Sequence, residues 1–172
     1  VVSGVLLAVI DRLKLTHQQQ LDFLFTAGAF GLVIANNASI SGAEGGCQAE
    51  VGSASAMASA ALVAASGGTP DQSAQAVAIT IKNMMGLICD PVAGLVEVPC
   101  VKRNALGSSQ AFISADMALA GIRSVIPPDE VIHAMYQVGR QMPQIFKETA
   151  EGGLAVTPTA QRLSKEILEK QK

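Results

Sequence analysis

Val51-Gly52-Ser53-Ala54-Ser55-Ala56-Met57-Ala58-Ser59-Ala60-Ala61-Leu62-Val63-Ala64-Ala65-Ser66 decides the fold. The stretch holds no charge, consists mostly of Ala and Ser, and stops at Gly67-Gly68, where a helix ends. Small side chains let neighbouring backbones come close, so the stretch reads as a helix buried in protein. A membrane span needs about 18 or more strongly apolar residues, and between Val51 and Pro70 there are one Leu and two Val. Phe23 to Ala43 is also free of charge, is interrupted by Asn36, Asn37, Ser39 and Ser41, and reads as a second buried helix.

The segments around these two are helical as well. Val5 to Leu15 is apolar at Val5, Leu6, Val9, Ile10 and Leu13, close to i, i+3, i+4, i+7 spacing. Thr16 with Gln19 forms a capping box for a helix to about Ala35. Thr69-Pro70-Asp71-Gln72 starts a helix that ends before Pro91. Gly107-Ser108-Ser109 opens one to about Ser124, Pro127-Pro128 one to about Gln141, and Thr157-Pro158-Thr159 a polar C-terminal one; Pro143 to Thr149 reads as a short turn of helix. Only Leu95 to Val101 hints at strand. The expectation is an all-α fold, a compact bundle of about seven helices with Gly/Pro-rich loops that bear cysteines. It forms a single domain over residues 1–172.

Composition narrows the function. The chain is 49% hydrophobic and only 15% charged, against about 25% charged in an average soluble domain. So little charge implies that it buries surface against another subunit or another part of its own chain. A net charge of −2 excludes the basic footprint of a nucleic-acid binder. No membrane segment and no secretory signal are visible, and the reading is cytoplasmic. The chain opens on Val-Val-Ser-Gly in what already reads as helix, so a fragment of a longer polypeptide is expected.

The three cysteines are Cys47, Cys89 and Cys100. An odd count argues against a disulfide framework. Each lies at the edge of a helical segment, beside Gly45-Gly46 or among Pro91, Gly94 and Pro99. At a helix start, the free N–H groups and the dipole favour an anionic thiolate or cluster. Glycines let a bulky group reach the backbone. Three thiolates are one too few for an ordinary electron-transfer cluster, and suit a centre with an open position for substrate. Forty-one residues separate Cys47 from Cys89, and ten separate Cys89 from Cys100. Spacing alone leaves a metal site and three unrelated buried thiols both open.

Asn37-Ala38-Ser39-Ile40-Ser41-Gly42-Ala43-Glu44-Gly45-Gly46-Cys47-Gln48-Ala49-Glu50-Val51-Gly52 and Cys89-Asp90-Pro91-Val92-Ala93-Gly94-Leu95-Val96-Glu97-Val98-Pro99-Cys100-Val101-Lys102-Arg103-Asn104 closely resemble the α-subunit or α-domain of iron–sulfur-dependent L-serine dehydratase. The likeness continues through Ala115 to Gly121 and Val125 to Val131, and ends near Gly152 to Thr159. It implies a 4Fe–4S cluster held by Cys47, Cys89 and Cys100, with one iron open to substrate and acting as a Lewis acid on the hydroxyl of L-serine. Cluster loss in aerobically prepared protein is part of that implication. A β-subunit or β-domain as partner is also implied, as are a dimer and a catalytic base outside this chain. The resemblance also implies an N-terminal part of the family α-domain, with a Pro-Thr-Ala-Gly-type loop, that is expected to lie ahead of Val1. The competing readings are an L-cysteine desulfidase-type lyase and a cluster-free helical assembly subunit.

Other polar residues carry two readings each. Lys102, Arg103 and Asn104 follow Cys100 directly, and an Arg fork suits a substrate carboxylate; a basic turn paired with Glu97 is the alternative. Asn37, Ser39 and Ser41, with Asn36, stand where they can hydrogen-bond substrate or cap a loop. Glu44, Glu50 and Asp90 read as helix-start or salt-bridge residues, and Asp116 as an ion-pair partner. His17 reads as solvated and His133 as packed.

Overall fold

The computed structural model describes residues 1–170, with eight α-helices and no strand among them. They are α1 (Val2–Leu13), α2 (His17–Asn37), α3 (Gly42–Gly45), α4 (Ser53–Ala65), α5 (Pro70–Met84), α6 (Cys100–Leu119), α7 (Pro128–Gln141) and α8 (Pro158–Lys170). A π-helical turn at Gln48–Gly52 leads into α4, and short 3-10 turns at Val92–Gly94, Gln144–Phe146 and Gly153–Val156 fill the connections.

The small-residue helix α4 is the axis of the fold. It packs against α1, α2, α5 and α6 and is buried at nine of its 13 positions. A helix apolar all round belongs in a core, and Ala and Ser let its neighbours close in. The Ser59 hydroxyl accepts a hydrogen bond from Thr80 Oγ1 at 3.0 Å, and Ser73 Oγ donates to the Ala60 carbonyl at 3.0 Å. Apolar packing lies on both sides of α4. Val5, Val9, Phe23, Leu62 and Ala115 form part of one cluster. Ile34, Val77, Ile81, Val131 and Met135 form part of the other.

The capping boxes at Thr16/Gln19 and Thr69/Gln72 are both formed. Three expectations need correction. The helix expected to open at Gly107 begins at Cys100, seven residues earlier, and ends at Leu119. The strand hint at Leu95 to Val101 is a run of turns leading into that helix. Finally, α2 is not buried all round. Only Phe23, Ala27, Gly31 and Ile34 point inward, because its neighbours α1, α4 and α7 take one stripe. Phe25 and Leu32 remain 72% and 66% exposed. No helix among the described residues is long and apolar enough to cross a membrane.

Candidate metal centre

Three separate pieces of backbone deliver the cysteines. Cys47 caps the π turn. Gly46 before it has φ +76, and a Cβ there would sit 2.9 Å from the Leu87 carbonyl, so only glycine fits. Gln48, 1% exposed, then ties this loop to the next. Its N–H donates to the Leu87 carbonyl at 2.9 Å, its Oε1 accepts from the Gly86 N–H at 2.9 Å, and its Nε2 donates to the Met135 carbonyl at 3.0 Å. Cys89 is held from the far end of the chain: its N–H donates to the Phe146 carbonyl at 2.8 Å and its carbonyl accepts from Glu148 N–H at 2.9 Å. Cys100 is the first residue of α6, so its orientation follows the packing of that helix.

All three thiols are buried, at 1%, 2% and 8% exposure, and none is in a disulfide. The ligand atoms of Cys47, Cys89 and Glu50 lie within 4.8 Å of one another. Gly42 completes the wall. A Cβ on it would lie 2.9 Å from Glu50 Oε2, 3.3 Å from Cys89 Sγ and 3.4 Å from Glu148 Oε2. A side chain at residue 42 would therefore press on the Cys89 sulfur and on the Glu50 and Glu148 carboxylates.

Electrostatics disfavour bare thiolates here. Burial pushes the Cys47 thiol up, and the neighbouring Cys89 and Arg103 pull part of the way back. Burial raises Cys89 as well, and the adjacent Cys47 adds to it. Cys100 rises for the same two reasons. Glu50 is raised by burial and by Glu148. Protons, or a cation, must balance this site. Cys47 and Cys89 with Glu50 form a largely soft donor set, of the kind that suits iron–sulfur clusters, zinc or copper(I), and Cys100 lies outside that close group. The residues present fit a thiolate-held cluster.

One cation stands beside the thiols. Arg103 Nη1 lies 3.9 Å from Cys47 Sγ, 2.9 Å from the Ile88 carbonyl and 2.6 Å from Asp90 Oδ1. Burial alone would lower Arg103; the Asp90 hydrogen bond and charge more than offset it.

The other expected site residues are dispersed. Lys102 is exposed on α6. Asn104 donates to the Cys100 carbonyl at 2.9 Å. Asn37 donates to the Val33 carbonyl of its own helix at 2.7 Å. Ser39 bonds Glu44, and the Ser41 N–H donates to Ser39 Oγ at 3.1 Å. Ser39 and Glu44 line a cavity of about 630 Å³ with Tyr136, Arg140 and Lys147. Arg103 pairs with Asp90 and not with Glu97. His17 is exposed as expected, whereas His133, expected to be packed, is exposed beside Gln137. Asp116 is exposed without an ion pair among the described residues. Gln48, Arg140 and Lys147 were not singled out from the sequence. The one local signal available was a Gln directly after a glycine-flanked cysteine, and it bears on Gln48 alone.

Known proteins give a consistent family result. The family described as "Serine dehydratase alpha chain" matches residues 1–155. The chain is 68% identical to the probable L-serine dehydratase alpha chain of Bacillus subtilis, over 97% of this chain and 56% of that protein. Against the probable alpha chain of Latilactobacillus sakei the identity is 58%, covering 95% and 78%. Against the L-serine dehydratase alpha chain of Peptoniphilus asaccharolyticus it is 47%, covering 98% and 58%. The chain thus spans little more than half the length of two of these three relatives. With a family match over residues 1–155 and 68% identity to a serine dehydratase alpha chain, the chain belongs to the serine dehydratase alpha chain family.

Proposed function

We propose that this chain is the cluster-bearing part of an iron–sulfur L-serine dehydratase, an enzyme that eliminates water from L-serine and yields pyruvate and ammonia. The observation that carries the reading is the meeting of Cys47 and Cys89, from two separate segments, beside Glu50, with Cys100 also buried and close enough for Cys47 to raise its thiol. Those three thiolates would hold a 4Fe–4S cluster. When bound, such a cluster supplies Lewis-acid character at the iron that lacks a thiolate, which suits a poor leaving group such as hydroxide.

The chain's own residues contribute position and electrostatics. Gly42 leaves an approach to the sulfurs open. Arg103 places positive charge beside Cys47. Gln48 fixes the distance between the Cys47 and Cys89 loops. Arg140 and Lys147 supply positive charge and Glu44 negative charge to the cavity that they line, and a zwitterionic amino acid requires both. The Cα base and the remaining walls come from a β-subunit or β-domain, and the complete enzyme works as a dimer in the cytoplasm.

The test is anaerobic reconstitution with iron and sulfide in the presence of the β partner, followed by Mössbauer spectra with and without L-serine. A 4Fe–4S signal with one iron site shifted by serine is expected. Well-folded protein that takes up no cluster, and that behaves like its Cys47→Ser variant, would overturn the reading. Relative turnover of L-serine and L-cysteine in the complete enzyme then separates water elimination from desulfidation.

A further inference from the structure

Buried Asp90 and half-buried Arg103 stand out among the charged groups because no step of substrate binding uses them. Asp90 is 2% exposed. Its Oδ1 meets Arg103 Nη1 at 2.6 Å, and its Oδ2 accepts the Leu154 N–H at 2.7 Å. A Cβ on Gly153 would run into this carboxylate. The same Arg103 nitrogen donates to the Ile88 carbonyl and lies 3.9 Å from Cys47 Sγ. Arg103 itself sits on the first turn of α6, three residues after Cys100. One ion pair therefore touches the Cys47 thiol, both flanks of Cys89, the helix turn that bears Cys100, and the Gly153–Val156 turn. A buried ion pair replaced by apolar side chains often costs nothing. Its expense here makes sense only if it enforces a particular arrangement.

We infer that the Asp90–Arg103 pair is a positioning clamp that sets the spacing of the three cysteine segments, and that the Arg103 charge raises the reduction potential of whatever cluster they hold. The second half rests on the iron–sulfur reading; the first half does not. Asp90 fixes the guanidinium, and so Arg103 cannot also turn to a substrate carboxylate. It is a positioning residue that acts through the sulfur ligands. Positive charge and N–H groups directed at a ligand sulfur stabilise the more reduced, more negative cluster.

The experiment uses the complete enzyme with Arg103→Met, Arg103→Lys and Asp90→Asn, each checked by far-UV circular dichroism. Hydrogen exchange in the cluster-free state reads the clamp. The amides of residues 86–90 and Leu154 are expected to exchange about tenfold faster in Arg103→Met and Asp90→Asn, as loss of a charged hydrogen bond predicts. Voltammetry of the loaded enzyme reads the charge. Arg103→Met should shift the potential negative, while Arg103→Lys should keep most of it and still exchange fast, because the shorter lysine carries the charge but does not reach Asp90 and the Ile88 carbonyl as Arg103 Nη1 does. Should Arg103→Met fail to fold, the Lys and Asn variants still decide the exchange arm. Unchanged exchange in all folded variants overturns the clamp. An unchanged potential in a loaded Arg103→Met enzyme overturns the electrostatic half. If even the unmodified enzyme takes up no cluster, the iron–sulfur reading and the electrostatic half fall together, and exchange still tests the clamp.

Discussion

Gly42 shows how much a missing side chain can decide. Its backbone does not lie in the left-handed region, so alanine would fit the conformation; only the space is contested. Gly42→Ala should fold with a stability change below about 1 kcal/mol and yet lose most of its iron after reconstitution, because the methyl would press on Glu50 and Cys89. Iron content beside a thermal melt checks both halves. Gly46→Ala should behave differently. It combines positive φ with a clash against the Leu87 carbonyl, so about 1–3 kcal/mol of stability should go as well. At this scale the sequence was legible where chemistry is rare. Three cysteines in glycine and proline surroundings stood out. Gln48, Arg140 and Lys147 did not, because their partners lie 38 or more residues away or on other helices, and no local pattern encodes such pairings.

Helices with capping boxes and proline starts could be read directly, because the signal sits within four residues. Thr69→Ala, which removes the side-chain acceptor for the Gln72 N–H, should cost about 1 kcal/mol, visible as a lower melting temperature with iron uptake unaffected. The start of α6 could not be read the same way. Cys100, Lys102 and Arg103 lack an N-cap signature, since Pro99 precedes the helix without a side-chain cap. The buried stripe Cys100, Gly107, Ala111, Ser114 and Ala118 shows why the helix runs so far back. Gly107 lies two turns from Cys100 on that stripe, where a Cβ would sit 2.9 Å from Val51. Gly107→Val should cost about 1–3 kcal/mol by overpacking. It should also weaken cluster retention, because lifting this face of α6 moves Cys100 away from Cys47. A slower chelator-driven loss in Gly107→Val than in the parent would contradict that.

For the whole molecule, the three thiols link stability to pH. All are raised above their ordinary value of 9.0, chiefly by burial. A thiol that holds its proton more tightly when folded contributes fully below the unfolded value, and that contribution is lost as pH rises through the folded one. The cluster-free protein should therefore melt at progressively lower temperature between about pH 8 and pH 11. A variant with serine at all three positions should show a much flatter profile. Fold class was legible at this scale from low charge and small-residue patterning, whereas the half-open face of α2 was not, because composition cannot say which side of an apolar helix finds neighbours. The link from Cys89 to Lys147 has a consequence in time. A chain emerging from the ribosome presents all three thiols long before the segment that pins the second of them has been made. A cluster held as proposed would therefore be delivered only once residues 146–148 are in place.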